Sequence, residues 1–457
     1  MNSLLDDAAK RACRYLDALP ARAVAPRPDA VARLQSLEEG LPEHPQAPDA
    51  VLQRLDELGS PATSAMAGPR FFGFVIGGAL PVTVAANWLA TAWDQNAAGH
   101  GPTPGVAAFE HAALRWLLEI LDLPRDAAGA FVTGATQANL CGLAAARHAV
   151  LARAGWDVEA DGLFGAPPIT VVVSAEAHPT LFKALGVLGL GRSRVVEIGT
   201  DPQGRMRTDL LPPLAGPTIV CLQAGNVNTG AFDPFATLCD RAQAAGAWVH
   251  VDGAFGLWAL AAPALRHLCT GVERADSWAT DAHKWLNVPY DSGLAFVRDG
   301  QALRAAMSVS AAYLPAPGRE RAPSDFTPEL SRRARGVDIW AALAALGRSG
   351  VARMIERCCN HARRFAQVLE GAGYGVLNDV VLNQVLVSFG DAATTRRVIT
   401  ELQAEGTCWC GVTEWQGHTA MRISVCSWAT TDDDVELSLA AMLRVAGRCG
   451  ASARAQS

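Results

Sequence analysis

Between residues 129 and 297 the chain returns again and again to one pattern: a short apolar, often β-branched run, then a helical stretch. Residues 169–174, 194–198, 218–223, 247–252, 277–280 and 293–297 read as strands, with helices over 181–188 and 233–245. Most of these runs do not alternate apolar with polar residues. Both of their faces must therefore be covered, the condition of a mostly parallel sheet wrapped in helices. The fold class is α/β. Ligands of such sheets lie beyond the carboxyl ends of the strands. Thr133, His178, Asn226, Asp252 and Lys284 all fall at or just past those ends.

Lys284 is the most informative of these. The chain has three lysines, Lys10, Lys183 and Lys284, and fills its many other cationic positions with Arg. Arg stays protonated at any working pH, whereas a buried Lys can lose its proton and become a nucleophilic amine. Asp252 ends an apolar strand upstream, where a carboxylate is costly unless paired. A strand-end Asp and a later Lys before a Gly-led strand suit a pyridoxal phosphate (PLP) site, the Lys forming a Schiff base and the Asp holding the pyridinium proton. Upstream, the chain turns at Gly134 and a helix follows from about Thr136. Small residues there let backbone N–H groups approach an anion, and the helix dipole adds to the attraction, so this turn is a candidate phosphate seat.

Other positions are open to two readings. His178 is either a structural histidine or a flat ring placed to stack on a pyridine; Lys183, just beyond it, is equally well a surface residue. Residues 226–230, Asn-Val-Asn-Thr-Gly, form a turn whose amide or hydroxyl could also reach a cofactor oxygen. Tyr313 borders a Pro-rich loop, and a Tyr on a lid can deliver a proton to a carbanion. Phe74, Trp93 and Arg422 are candidate substrate contacts, Arg422 as a carboxylate clamp. Arg332, Arg333 and Arg335 read as a structural cluster.

Charge and composition exclude several classes. The net charge is −6 and no basic stripe exists, which argues against nucleic acid. The first residues lack the basic and apolar segments of a signal peptide. Residues 71–93 are uncharged, but Gly73, Gly77, Gly78, Pro81 and Asn87 interrupt them, so a buried, irregular pocket wall or interface is expected rather than a membrane span. The eleven cysteines show no paired metal spacing. No metal is expected, and the thiols read as reduced in a cytoplasmic protein. Half of the residues are apolar and only 18% charged, which suggests a large core plus a buried subunit interface, hence a homodimer.

The two ends differ from the middle. Residues 1–68 read as short amphipathic helices that pack on the body or across a dimer. Residues 69–330 form the large cofactor-binding domain, and 331–457 a smaller α+β domain. In the latter, helices are expected over 335–356, 360–370, 393–405 and 432–446, and strands over 385–389 and 421–425.

Taken in order, these segments resemble the group II PLP-dependent amino acid decarboxylases, of aspartate aminotransferase fold type I. The matching pieces are residues 131–140 (Phe-Val-Thr-Gly-Ala-Thr-Gln-Ala-Asn-Leu), His178 with Lys183-Ala184, 229–234 (Thr-Gly-Ala-Phe-Asp-Pro), His250-Val251-Asp252, 281–285 (Asp-Ala-His-Lys-Trp), Tyr313-Leu314 and Ser331-Arg332-Arg333. The resemblance implies a seven-stranded, mostly parallel sheet and a smaller C-terminal domain; the homodimer expected from the apolar fraction would carry its active sites at the interface. It makes Lys284 the Schiff-base lysine and Asp252 the pyridinium partner. His178 stacks on the ring, Ala135, Thr136 and His283 bind the phosphate, and Thr229 lies near the ring substituents. Tyr313 matches the lid tyrosine that protonates the carbanion, which favours decarboxylation of an L-amino acid, through an external aldimine and a quinonoid, to the amine and CO2. The chain departs from the family at Gly253, Ala135 and Gly68, which bears on the substrate. The rival readings are an aminotransferase, an aldolase-type lyase or an aldehyde synthase on the same fold, and a non-catalytic binding protein that kept it.

Overall fold

The stripe Leu4, Leu5, Ala8, Ala12, Leu16 forms α1 (Asn2–Ala18), in a computed structural model that describes residues 2–309 and 321–451. Two Pro-started helices follow, α2 (Pro28–Arg33) and α3 (Pro48–Ala62). Pro suits the first helical turn, where its missing N–H has no partner to lose. The same rule corrects the expectation of an irregular wall over 71–93. Pro81 starts rather than breaks a helix, α4 (Pro81–Trp93), and Pro104 starts α5 (Pro104–Ile120). Only the first part of the uncharged run is buried, around Phe71, Phe72 and Val75; α4 buries only Thr83.

The apolar runs form the expected sheet. Its strands are β1 (Ala128–Val132), β2 (Thr170–Ser174), β3 (Val196–Ile198), β4 (Thr218–Gln223), β5 (Trp248–Asp252), β6 (Ser277–Asp281) and β7 (Gly293–Val297), in the order β1-β7-β6-β5-β4-β2-β3. The pairings β3–β2, β2–β4, β4–β5 and β5–β6 are parallel; β7 runs antiparallel to both β6 and β1. Every residue of β4, β5, β6 and β7 is buried, as continuous apolar runs demand. α6 (Ala135–Arg153) lies against β1 and β4 to β7, with α7 (Val158–Asp161), α8 (Pro179–Val187) and α11 (Gly300–Met307) beside it. α9 (Phe235–Ala244) packs on β5, and the short α10 (Ala282–Trp285) follows β6 directly. Val132, Val171, Val173, Leu143, Leu185 and Trp248 belong to the core between these layers.

Two helices were expected between 335 and 370, parted after residue 356. The structure instead continues as α12 (Arg335–Gly371), and its break falls at Gly347, whose φ of 58° and ψ of 176° only glycine adopts at low cost. Beyond it, β8 (Gly375–Val376), β9 (Gln384–Ser388), β10 (Gly411–Trp415) and β11 (His418–Ser424) form a second sheet, with α13 (Ala392–Glu405) and α14 (Asp432–Arg448). Thr431 and Asp434 build a reciprocal capping box at the start of α14.

Contacts divide the chain into two compact units. One comprises Met1–Gly78, His361–Leu377 and Val385–Ser457; the other comprises Ala79–Asn360 and Asn378–Gln384. In the first, Leu19, Val24, Ala65, Phe71 and Ile76 cluster with Trp409, and the Phe71 and Trp409 rings stack at 4.9 Å. The second contains the seven-stranded sheet and every residue of the candidate site described next.

Candidate active site

The turn between β1 and α6 is shaped by glycine. Val132 pairs with Gly293, and a Cβ on Gly293 would lie 2.4 Å from the Cα of Gly134. A Cβ on Gly134 would lie 3.2 Å from Cε1 of His283. Two backbones and an imidazole thus meet where a side chain would not fit. Gln137 steadies the turn, its Oε1 accepting from Thr133 N at 3.1 Å and from Thr133 Oγ1 at 2.8 Å. Ala135 and half-buried Thr136 open the helix, so their N–H groups stand at the positive end of a long dipole.

β6 and α10 bring the lysine to this turn. The Ala135 N–H donates to Asp281 Oδ1 at 2.5 Å, and Lys284 Nζ lies 3.0 Å from Asp281 Oδ2. The side chain of Asp281 is 3% exposed and that of Lys284 19%, so this ion pair is little screened. His283 Nδ1 accepts from Ser292 N at 3.1 Å, which leaves the ring proton on Nε2, 3.7 Å from Asp281 Oδ1. Burial pushes the His283 pKa below its ordinary value. Its ring stacks on Tyr290 at 4.2 Å.

Asp252 closes β5 between β4 and β6, with Gln223 and Ala279 as its register partners. It is 6% exposed. Its Oδ1 accepts from Ala254 N at 3.2 Å and its Oδ2 from Asn139 Nδ2 at 3.0 Å. Asn139 lies one turn beyond Ala135 on α6, so a single helix touches both carboxylates, Asp281 through Ala135 and Asp252 through Asn139.

The structure therefore brings together Ala135, Thr136, Asp252, His283 and Lys284. His178 caps α8 at the carboxyl end of β2, half-buried, with Nδ1 at 2.7 Å from Thr180 Oγ1. Thr229 is buried in the loop after β4, where its hydroxyl donates to Gln203 O and accepts from Ala231 N. Asn226 folds the same loop on itself, Oδ1 accepting from the N–H groups of Asn228 and Thr229. Trp93 ends α4 and stacks at 6.2 Å on Phe109, which meets Trp340. Lys183 is exposed. Arg332 is wholly buried on Glu110, Ala97 O and Phe131 O, and Arg335 meets Asp291, as a structural cluster would. Tyr313 lies outside the described residues. Phe74 and Arg422 belong to the other unit. Phe74 is exposed and tilts on Trp409 at 5.3 Å. Arg422 is half-buried on β11, opposite Gly411, and burial lowers its pKa.

Sequence reasoning assigned no role to Asp281, Asn139, His250 or Tyr290. Asp281 and Asn139 sit inside matched motifs, and the cost of burying a carboxylate could have drawn attention to Asp281 as it did to Asp252. Tyr290 carries no comparable signal.

A half-buried amine, a strand-end carboxylate and a helix start, gathered in one unit at the strand ends of one sheet, are the parts of a PLP enzyme of fold type I. The residues fit that cofactor by their chemistry. The carboxylate suits a protonated ring nitrogen, the amine suits an aldehyde, and the N–H groups at a turn cleared by Gly134 and Gly293 suit a phosphate. Comparison with known proteins agrees. Residues 29–389 match the family described as the pyridoxal-dependent decarboxylase conserved domain. An aromatic-L-amino-acid decarboxylase of Bacillus atrophaeus is 26% identical over 422 residues, 87% of this chain and 85% of that one. An acidic amino acid decarboxylase of Mus musculus is 30% identical over 302 residues, 63% of this chain and 54% of that one. The crystal structure of Oryza sativa TDC with PLP and tryptamine superposes with a TM-score of 0.89 at 23% identity, covering 98% of this chain and 97% of that one. The chain belongs to the pyridoxal-dependent decarboxylase family. It is a PLP-dependent amino acid decarboxylase, a carboxy-lyase releasing CO2 and an amine.

Proposed function

We propose that the substrate is an L-amino acid with an aromatic or large apolar side chain. The observation that carries this reading is the likeness to the Bacillus decarboxylase named for aromatic L-amino acids, which runs along 87% of this chain and 85% of that one.

The Mus musculus relative favours a second reading, an acidic side chain. That reading needs a free cation, and Arg70, one candidate, is committed elsewhere. Its guanidinium donates to Thr407 O, to Asp434 Oδ1 and to Pro20 O. CO2 release measured with tryptophan, tyrosine, DOPA, phenylalanine, glutamate and aspartate separates the two. Turnover confined to the acidic substrates overturns the aromatic reading.

Lys284 would hold the cofactor's aldehyde carbon and Asp252 its ring nitrogen. Ala135, Thr136 and His283 would hold its phosphate, His178 would cover the ring face, and Thr229 would shape the loop beside the ring. Bound PLP supplies an electron sink for the pair released when the Cα–carboxylate bond breaks. Asp252, nearly excluded from water, keeps a proton on the ring nitrogen through a charge that solvent hardly screens. An apolar surround for the departing carboxylate favours the less charged product state. Tyr313 delivers the proton to Cα.

We also place the enzyme in the cytoplasm as a homodimer with sites at the interface. Ten of its eleven free cysteines are buried thiols, which suits a reducing compartment. α4 exposes Val82, Trp88, Leu89 and Trp93, an apolar surface that a second copy would cover. Sedimentation of the active protein as a monomer refutes the dimer. Among the described residues no helix is long and apolar enough to cross a membrane.

A further inference from the structure

We propose that Trp248, Ser277, His250 and Asn139 form a one-way hydrogen-bond relay that positions Asp252 and keeps its Oδ2 an acceptor. The four are positioning residues, behind the carboxylate and out of reach of solvent: Trp248 is 1% exposed and the other three are fully buried. Trp248 Nε1 lies 2.9 Å from Ser277 Oγ, and Ser277 Oγ 2.8 Å from His250 Nδ1. His250 Nε2 lies 2.9 Å from Asn139 Oδ1, and Asn139 Nδ2 3.0 Å from Asp252 Oδ2.

The direction follows from the two ends. An indole N–H can only donate, so Ser277 Oγ accepts from Trp248. The Ser277 proton then points at His250 Nδ1, which must be the unprotonated nitrogen. The His250 proton therefore sits on Nε2 and goes to the Asn139 oxygen. The Asn139 amide is left with its N–H groups toward Asp252, whose Oδ2 is the acceptor and so carries no proton toward the amide. The reverse arrangement protonates Asp252, turns the Asn139 amide over and moves the imidazole proton to Nδ1. Ser277 then accepts from both sides, and its own proton has no acceptor among the described residues. Buried donors without acceptors are strongly disfavoured, so Trp248 breaks the tie. Burial also lowers the His250 pKa to about 4, against the pull of Asp252, so one ring proton is the rule near neutral pH.

Packing makes room for this arrangement at one point. His250 and Ser277 are register partners on β5 and β6. A Cβ on Gly142 would lie 2.6 Å from His250 Cε1 and 2.7 Å from Nδ1. Gly142 follows Asn139 by three residues on α6, on the same helical face. One face of one helix thus both seats the imidazole and receives its proton.

The direction of the relay stands on the geometry alone; its consequence for catalysis rests on reading Asp252 as the ring-nitrogen partner. The test uses full-length holoenzyme carrying 15N-histidine, loaded with 15N-PLP, with the His250 signals assigned by loss in His250→Gln. We expect His250 as the neutral Nε2–H tautomer. Ser277→Ala, three bonds away from Asp252, should shift His250 toward the other tautomer and move the ring-nitrogen signal toward its unprotonated position. It should lower kcat several-fold with little change in KM, and Ser277→Thr, which keeps the hydroxyl, should restore the original spectra. A His250 proton on Nδ1 in the unmodified holoenzyme, or a Ser277→Ala spectrum unchanged at His250, overturns the relay. A ring-nitrogen signal unmoved even by Asp252→Asn overturns the reading of Asp252 instead.

Discussion

Asp252 and Asp281 are both buried carboxylates at strand ends, and both are reached from the first two turns of α6. They are prepared very differently. Asp252 accepts from a backbone N–H and from a side-chain amide that is itself backed by His250, Ser277 and Trp248. On its proposed role, Asp252 would meet a ring nitrogen with these partners already in place. Asp281 holds the Ala135 N–H and the Lys284 ammonium, the two groups that the proposed function needs for a phosphate and an aldehyde. The ring end of the site is preset, and the phosphate end must exchange partners. The chemistry of the bound state is thus built into the core, while the cost of capturing the cofactor is concentrated at Asp281.

The comparison breaks most completely at Lys284. After incubation with PLP and dialysis, Lys284→Ala should show no visible absorbance from lysine-bound cofactor, and CO2 release should fall to background. A retained band removes Lys284 from its role. Asp252→Asn should do something different. The lysine and the phosphate seat are untouched, so PLP stays bound, while CO2 release falls by about 10²–10³-fold, the size of losing one preorganised charge. Loss of the cofactor together with activity would mean that Asp252 is a binding group first.

The ring end can also be probed through stability. His250 titrates near 4 in the folded protein, below its ordinary 6.5, because it is buried. In that window the unfolded chain binds more protons, so the neutral imidazole contributes its full stability above about pH 6.5 and loses it as pH falls toward 4, by roughly 3 kcal/mol in all. Asp233 slopes the other way. Burial raises its pKa to about 6, so its contribution is lost as pH rises toward that value. Asp338, also raised to about 6 by burial, slopes like Asp233, so the wild-type curve mixes opposing contributions and the variant removes the His250 one. Between about pH 4.5 and 6.5 the urea-unfolding free energy of His250→Gln should rise less, or fall more, with increasing pH than that of the wild type. Equal slopes would mean that His250 carries its charge in the folded state.

What could be read from the chain beforehand divides along the same line. Continuous apolar runs announce β4 to β7, and a polar residue at the end of β4, β5 and β6 announces where a ligand sits, because burial and strand ends are local properties. Lys284 and Asp252 are legible for that reason, and the ordered motifs name the family. The relay is not local. Trp248 and Ser277 are 29 residues apart and His250 and Asn139 are 111, and neither periodicity nor composition says which buried hydroxyl meets which ring nitrogen. Backbone breaks were misplaced where one residue type serves two purposes. Pro81 starts a helix where a breaker was expected, and Gly347 interrupts α12 while 357–359 runs straight through. Phe74 shows the limit most plainly: its left-handed backbone leaves no mark in a sequence of apolar residues.

The smallest effect is expected at Asp281, and its sign is the sharper test. Asp281→Asn keeps an oxygen that can accept from Ala135 N–H but removes a negative charge from beside the phosphate seat. Attack on an aldehyde needs the lone pair of the Lys284 amine, and in the wild type the 3.0 Å contact with Asp281 has to be given up first. Both consequences act in the same direction. The charge at Asp281 opposes an incoming phosphate dianion, and it detains the amine that must react with the cofactor. Uptake of PLP by the apoprotein, followed by absorbance, should be several-fold faster in Asp281→Asn, and the dissociation constant should fall by a factor of about ten at most, the equivalent of ~1.4 kcal/mol. A slower uptake would show that the carboxylate helps to dock the cofactor rather than standing in its way. The contrast between a preset Asp252 and an obstructing Asp281 would then be lost, since both carboxylates would be arranged for the bound state from the start.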